Sequence, residues 1–266
     1  LRYVRVQFAG EKINDEDELN GIAFQGVGSG TVVDYIQVHR NADDGIEFYG
    51  GTVNAKHLVL TDIEDDSVDW TQGWQGNLQY VLVNQIQDDT VDTDRGMELD
   101  NLEQDNNAEP RSGGTMMNFT LLGKAGELGM NPRRGTQGHW CNFVVTNFDK
   151  CLDIDSSATF DQMTAGNLTM TNTLLSCNTD IVENDEDTPD PFSVITWFDG
   201  QTGNVRGMDP MLVGPFLPEG SPYLSGQHCD MENVYTDSFF DNTDYMGAFR
   251  SADGAWHLGW SEFLPW

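Results

Sequence analysis

Acidic side chains give this chain its clearest chemical potential, and they recur in a pattern. Asp-Asp pairs stand at Asp43-Asp44, Asp65-Asp66 and Asp88-Asp89, with Asp62, Glu64, Asp92, Asp94 and Asp100 around them. A single acid flanked by apolar residues follows: Glu47 between Ile46 and Phe48, Asp69 between Val68 and Trp70, Glu98 between Met97 and Leu99, Asp153 between Leu152 and Ile154. Clustered carboxylates can do three things. They can form a solvated face screened by salt. They can hold calcium, which takes six to eight oxygen ligands from carboxylates, carbonyls and water. Paired, they can cleave glycosidic bonds, which needs carboxyl groups about 5 to 9 Å apart. A lyase version would use bound calcium and a basic residue, and Arg40, Arg95 and Lys150 each precede an acidic segment. The calcium reading takes Asp43, Asp44, Asp65, Asp66, Asp88, Asp89, Asp92 and Asp94 as ligands. The catalytic one takes Glu47, Asp69 and Glu98 with Arg40 or Arg95.

Both readings need these acids to be brought together, and a repeat does that. Gly21-Ile-Ala-Phe24, Gly45-Ile-Glu-Phe48, Ser67-Val-Asp-Trp70, Gly96-Met-Glu-Leu99 and Cys151-Leu-Asp-Ile154 share the order small, apolar, variable, apolar. A second apolar segment alternates with them: Tyr35–Val38, His57–Leu60, Tyr80–Val83, Phe119–Leu122 and Phe143–Thr146. Short β-type segments in phase at this spacing predict an all-β, parallel β-helix, a solenoid in which no coil can bury its inner face alone. A β-sandwich also has frequent strands but does not require the phase to match. Alternation along a strand turns Ile46 and Phe48 inward and Glu47 outward, and likewise for the other repeats. Equivalent outward acids would then stack about 4.8 Å apart.

The chain has 266 residues, with 13 Lys+Arg against 44 Asp+Glu and a net charge of −31. Such a surface repels nucleic acid, which is bound through basic contacts to phosphate, and it repels anionic lipid. No apolar run is long enough to span a bilayer as a helix. P-loop, dinucleotide-fingerprint, G-x-S-x-G and H-E-x-x-H motifs are missing. The four cysteines, Cys141, Cys151, Cys177 and Cys229, lack zinc-ligand spacing. They fit two disulfides of an exported protein or four buried thiols, and for disulfides the expected pairing is 141–151 with 177–229. Coils are expected over 1–184, with further coils ahead of residue 1. Residues 185–266 form a proline-bearing loop and an aromatic tail, Trp256 to Trp266, that caps the solenoid's open end. Trp74, in a glycine-rich turn, is either a sugar platform or a packing residue. Trp74, Asp153 and Asp155 are the candidates for ligand contact.

Asn54–Leu58, Asp65–Trp74, Asn77–Tyr80, Pro110–Ser112, Arg134–Thr136 and Cys151–Asp155, with Thr243–Phe249 and Gly259-Trp260 near the end, resemble a family of exported bacterial right-handed parallel β-helix proteins of pectate-lyase-like type. The resemblance spans nearly the whole chain. It implies the right-handed β-helix and a secreted or cell-surface location, and it carries no established reaction. The resulting expectation is a calcium-binding surface β-helix that binds a glycan or another surface partner. The alternatives are a polysaccharide lyase or glycoside hydrolase, and a structural spacer of a larger surface protein.

Overall fold

The structure, a computed structural model, describes all residues except 15–17, 86–92, 184–191, 233, 236 and 263–266. Among the described residues the chain runs through β1 (Arg2–Gln7), β2 (Ile22–Gln25), β3 (Val32–His39), β4 (Ile46–Tyr49), β5 (Asn54–Thr61), β6 (Asp66–Thr71), β7 (Asn77–Asn84) and β8 (Arg95–Asp100). It continues with β9 (Thr115–Leu122), β10 (Leu128–Arg133), β11 (Gly138–Thr146), β12 (Lys150–Leu152), α1 (Ser157–Ala165), β13 (Leu168–Ser176), β14 (Thr179–Ile181), α2 (Val194–Asp199) and β15 (Val205–Arg206). Odd-numbered strands stack in chain order into an eight-stranded sheet, and even-numbered ones into a seven-stranded sheet. The strand pairings are parallel throughout, as in a right-handed parallel β-helix.

The repeat register is the one the sequence predicts. Ile46, Glu47 and Phe48 pair with Val68, Asp69 and Trp70, which pair in turn with Met97, Glu98 and Leu99. The flanking apolar residues are fully buried in one core between the sheets. Aromatic rings stack along its axis, with Phe24 on Phe48 at 5.4 Å, Phe48 on Trp74 at 4.5 Å and Phe119 on Phe143 at 4.5 Å between centroids. Where glycine opens a repeat, it has a steric cause. A Cβ at Gly45 would lie 2.6 Å from the Ser67 carbonyl oxygen, and one at Gly96 2.6 Å from that of Gly129.

One coil lies hidden in the sequence. β10 inserts between β8 and β12, because Gly129-Met-Asn-Pro132 repeats the pattern with a proline in the second apolar place. Pro132 pairs with Leu99 inside the sheet, and a proline in an interior strand argues against a strand when only the sequence is read. The stretch to residue 180 also contains a helix, α1, absent from the expected outline. It fills the connection from β12 to β13, buries Phe160 and Met163, and ends at Gly166 in the left-handed conformation.

The segment after β15 lies along the outer flank of the eight-stranded sheet. Leu217 and Met246 cover Val144 and Leu174, while Ala248, Phe249 and Ala255 cover Val59, Leu82 and Leu122. Trp256 packs against this second group. Trp256 and Trp260, from the tail expected to cap an end, here shield a side. The reason is in the strands: runs such as Val81-Leu82-Val83 are apolar at outward positions too, and a sheet apolar on both faces must be covered on both.

The disulfides are Cys141–Cys229 and Cys151–Cys177, which corrects the expected pairing. Cys141 faces outward from β11 under the C-terminal segment, whereas Cys151 lies in the inner core at β12 of the other sheet. Nearness in sequence therefore does not bring those two together. The Cys141–Cys229 bond closes a separation of 88 residues and ties the C-terminal segment to the coils. Cys141→Ser is expected to lower unfolding stability by about 2–4 kcal/mol and to expose residues 208–262 to limited proteolysis before the coils. Equal denaturation midpoints and equal cleavage in both proteins would refute this tethering role.

Candidate metal centre

The outer face of the seven-stranded sheet carries the stacked acids. Glu47, Asp69 and Glu98 occupy successive register positions on β4, β6 and β8. The turn before each strand adds Asp43-Asp44 and Asp65-Asp66, and Asp44 accepts a hydrogen bond from the Asp66 backbone N–H at 3.2 Å. Carboxylate oxygens of Asp44, Glu47 and Asp69 lie within 4.8 Å of one another. The same holds for Asp43, Asp44 and Asp65, and for Asp65, Asp66 and Asp94. At that separation two ionised carboxylates repel by about 3.5 kcal/mol at an effective dielectric of 20.

The cluster is poorly solvated. Asp44, Glu47 and Asp66 are buried, and Oδ1 of Asp69 is buried without a hydrogen bond to any described residue. Glu47 accepts from the Asn20 side chain, which fixes one of its oxygens. Burial, followed by neighbouring carboxylates, holds the Asp44 and Asp69 carboxyls well above the ordinary aspartate range. Burial also raises Asp66, with Glu98 adding to the rise and Arg95 opposing it. Burial raises Asp43 and Asp65 in the same direction. Farther up the same turn column, burial pushes Glu127 up to about 7.

Cations enter from one side. Arg95 stands in register with Asp66 and reaches Asp94 at 2.6 Å, Glu98 at 3.0 Å and Asp66 at 3.6 Å. Arg133, from β10, bonds Glu98 and lies 2.8 Å from Asp100, while Arg134 lies 2.6 Å from Asp100. The acid column thus has two parts. Glu98 and Asp100 are neutralised by arginines, whereas no arginine or lysine forms an ion pair with Asp44, Glu47 or Asp69 among the described residues.

Several predicted residues lie elsewhere. Arg40 pairs with Asp62 at 3.7 Å, in the turn that follows β3, and is not joined to Glu47. Asp153 sits two register steps beyond Glu98, with Asn131 between them, and is met by Lys150 at 3.2 Å. Asp155 accepts from Asn131 at 2.9 Å. Trp74 is fully buried, stacked on Phe48, and donates to the Val53 carbonyl oxygen at 3.2 Å. It presents no face to a sugar, which settles its two readings in favour of packing. Asp88, Asp89 and Asp92 lie outside the described residues. Arg133 and Arg134 are functional candidates that sequence reasoning missed, since their position depends on recognising β10 as a coil. The signal was there: Arg133 follows Gly129-Met-Asn-Pro132 at the place where Asp100 follows Gly96-Met-Glu-Leu99.

Comparison with known proteins agrees with this architecture. A search of the curated proteins and a search of the solved structures each find no match. A family model, the pectate-lyase-like β-helix domain, matches residues 1–209, a span that contains all the coils and the whole acidic face. By its repeat, its parallel register and this match, the chain belongs to the pectate-lyase-like β-helix domain family.

Proposed function

We propose that the chain is an extracytoplasmic β-helix that binds a divalent cation, calcium by its oxygen-only ligand set, between Asp44, Glu47 and Asp69, and uses it to bind an anionic glycan. The supporting observation is the convergence of three buried or half-buried carboxylates, one with an orphaned oxygen, where no basic side chain among the described residues forms an ion pair with them. Calcium favours such an all-oxygen set completed by water or by a ligand's own oxygens. A uronate carboxylate could supply those oxygens, and Arg95 and Arg133 stand on the neighbouring coils. Two disulfides support a location outside the cytoplasm. Among the described residues no helix is long and apolar enough to cross a membrane.

Ion binding to the folded state alone raises stability by about 2.7 kcal/mol at a hundredfold excess over Kd. For a chain of this size that is roughly 5–10 °C in Tm. In chelator, the raised Asp44, Asp66 and Asp69 carboxyls set the sign of the pH dependence. A carboxyl whose folded pKa lies above its unfolded value stabilises the fold below about pH 4 and loses that contribution as pH rises through the folded pKa. Glu127 places part of the loss near pH 7. Tm in chelator is therefore expected to be higher at pH 5 than at pH 8, and calcium is expected to recover the difference at pH 8. Asp69→Asn should raise the pH 8 Tm in chelator and abolish the calcium response. A calcium-independent Tm in the parent protein would sink the cation reading.

A second reading, a polysaccharide lyase or hydrolase, is favoured by one observation: guanidinium groups of Arg95 and Arg133 and the carboxylate of Glu98 meet directly beside Asp69. Incubation with acidic and neutral polysaccharides separates the readings. New reducing ends or unsaturated-uronate absorbance would mark an enzyme, and binding without either would mark a lectin-like role.

A further inference from the structure

The C-terminal segment shields the eight-stranded sheet, yet it carries apolar surface of its own that no described residue covers. Among the described residues, exposed large apolar side chains fall mainly in two places. One is the outermost coil, from Leu1 to Val32, with β1 at the sheet edge. Such a coil has a neighbour on one side only, so exposure there follows from its position. Between Val32 and Met208 there is none. The other place is a stretch of six residues in which Met208 is 53% exposed, Met211 71% and Val213 70%. These follow β15 and have no edge position to explain them. Met211 is also held in the left-handed backbone region, at φ 54°, the only non-glycine residue after β15 found there among the described residues. Its N–H donates to Oδ1 of Asp209 at 2.7 Å. A bulky side chain held that way and turned to solvent is the kind of strain that collects at binding surfaces.

Val213 also lines a groove between residues 213–224 and 250–253, with an empty volume of about 920 Å³ including its open mouth. Phe216, Leu217 and Leu224 give the groove its apolar lining. That lining is anchored to the sheet. Leu217 and Leu224 pack with Val144 and Leu174, and Phe216 lies 5.1 Å from Phe249 between ring centroids. Pro215, Pro218 and Pro222 fix the backbone of the first wall, so little ordering remains to be done on binding. The apolar surface extends past the groove, because the Tyr223 hydroxyl, next to Leu224, donates to Sδ of Met208 at 3.7 Å. Three charged residues line the groove: Arg250, Glu219 and Asp253. Arg250 lies 2.5 Å from Asp244 and is neutralised by it. No arginine or lysine forms an ion pair with Glu219 or Asp253 among the described residues. The groove is therefore apolar inside and negative at its rim.

We infer that this groove docks a cationic, apolar segment of another protein, which inserts one large apolar side chain and places lysines or arginines beside Glu219 and Asp253. Charge complementarity selects the partner's sign. The two unbalanced acids attract a basic segment, and the net charge of −31 speeds its approach while repelling an acidic one. The apolar lining selects a large side chain, and the methionines beside it can adapt to more than one shape. A small amine filling the groove alone would leave Met208 and Met211 as exposed as before, whereas a polypeptide crossing the groove can cover them. The site is independent of the cation proposed on the other sheet.

The test adds the intact protein to fluorescein-labelled heptapeptides Gly-Lys-Lys-X-Lys-Lys-Gly, with X leucine, phenylalanine or tryptophan, and follows anisotropy at about 0.15 M salt. At least one is expected to bind with Kd of about 100 µM or tighter, equally in chelator and in calcium. The peptide with serine at X should bind about tenfold more weakly or worse, and peptides with glutamate in place of lysine should not bind. Val213→Ser, and Glu219→Gln combined with Asp253→Asn, change only exposed side chains, so Tm should hold while each weakens binding about fivefold or more. No binding by the three apolar peptides would overturn the proposal, as would equal binding of the serine peptide or full retention by both variants. Dodecylammonium binding without peptide binding would assign the groove to a small amphiphile. Self-association of the protein that Val213→Ser abolishes would assign it to a second copy. Either of these also overturns the proposal. Because the readout is taken in chelator, its failure leaves the calcium reading untouched, and the reverse also holds.

Discussion

Trp74→Ala is expected to cost about 3–5 kcal/mol of unfolding free energy. Trp74 has no exposed surface and lies against Phe48 and Trp70, at 4.5 Å and 5.2 Å between ring centroids. Backbone is moulded around it. A Cβ at Gly76 or at Gly114 would come within 2.4 Å of the indole, so neither coil can relax inward while the ring is present. Deleting the ring leaves a large cavity between coils and an unpaired Val53 carbonyl oxygen. Trp74→Phe should lose less, since it keeps the stack and gives up only the indole N–H and part of the volume. Urea unfolding of the three proteins, with m-values compared, measures this. A loss below about 1 kcal/mol for the alanine variant would mean that Trp74 does not bridge the coils.

Arg133→Ala should destabilise by about 2–4 kcal/mol near neutral pH, because it leaves carboxylates behind rather than because it deletes an attraction. The Glu98 and Asp100 side chains are only 13% and 5% exposed. Arg95 still reaches Glu98, and Arg134 still reaches Asp100, which keeps the expected loss below that of an isolated buried pair. Burial already raises the Glu98 pKa and Arg133 opposes that rise. Removing the guanidinium lets Glu98 rise further, so the variant can shed its excess charge by taking up a proton. Its deficit relative to the parent should therefore be smaller at pH 5 than at pH 8. A deficit that is the same at both values would show that packing by the arginine stem, not charge, is what Arg133 contributes. Arg133→Met, which retains the stem, provides the control.

Much of this architecture could be read before any coordinates. The order small, apolar, variable, apolar recurs because each property answers a local demand: a small residue, glycine at Gly45 and Gly96 where a neighbouring carbonyl crowds the Cβ position, apolar residues facing inward, and a free choice facing outward. Parallel stacking then makes Glu47, Asp69 and Glu98 vertical neighbours. β10 escaped notice because Pro132 masks its strand character, and with it went Arg133 and the arginine side of the face. α1 escaped because it is a short insertion within one connection, whose buried side is Ala158, Thr159, Phe160 and Met163, with few large apolar residues to mark it. Trp74 shows a different difficulty. A tryptophan between glycines looks the same in a sequence whether the glycines open a turn to solvent or clear space for the ring, and here they clear space.

The solenoid and its in-phase acids follow from period and composition alone. Which cysteines meet, where the C-terminal segment lies and which carboxylates are left unbalanced emerge with the folded chain. Those outcomes depend on which sheet and which face a residue reaches. Cys141 and Cys151 are ten residues apart yet face different surroundings, while Cys141 and Cys229 meet across 88 residues. In a coiled chain, proximity is set by the stacking of turns and the wrapping of the tail, and neither is proportional to distance along the sequence.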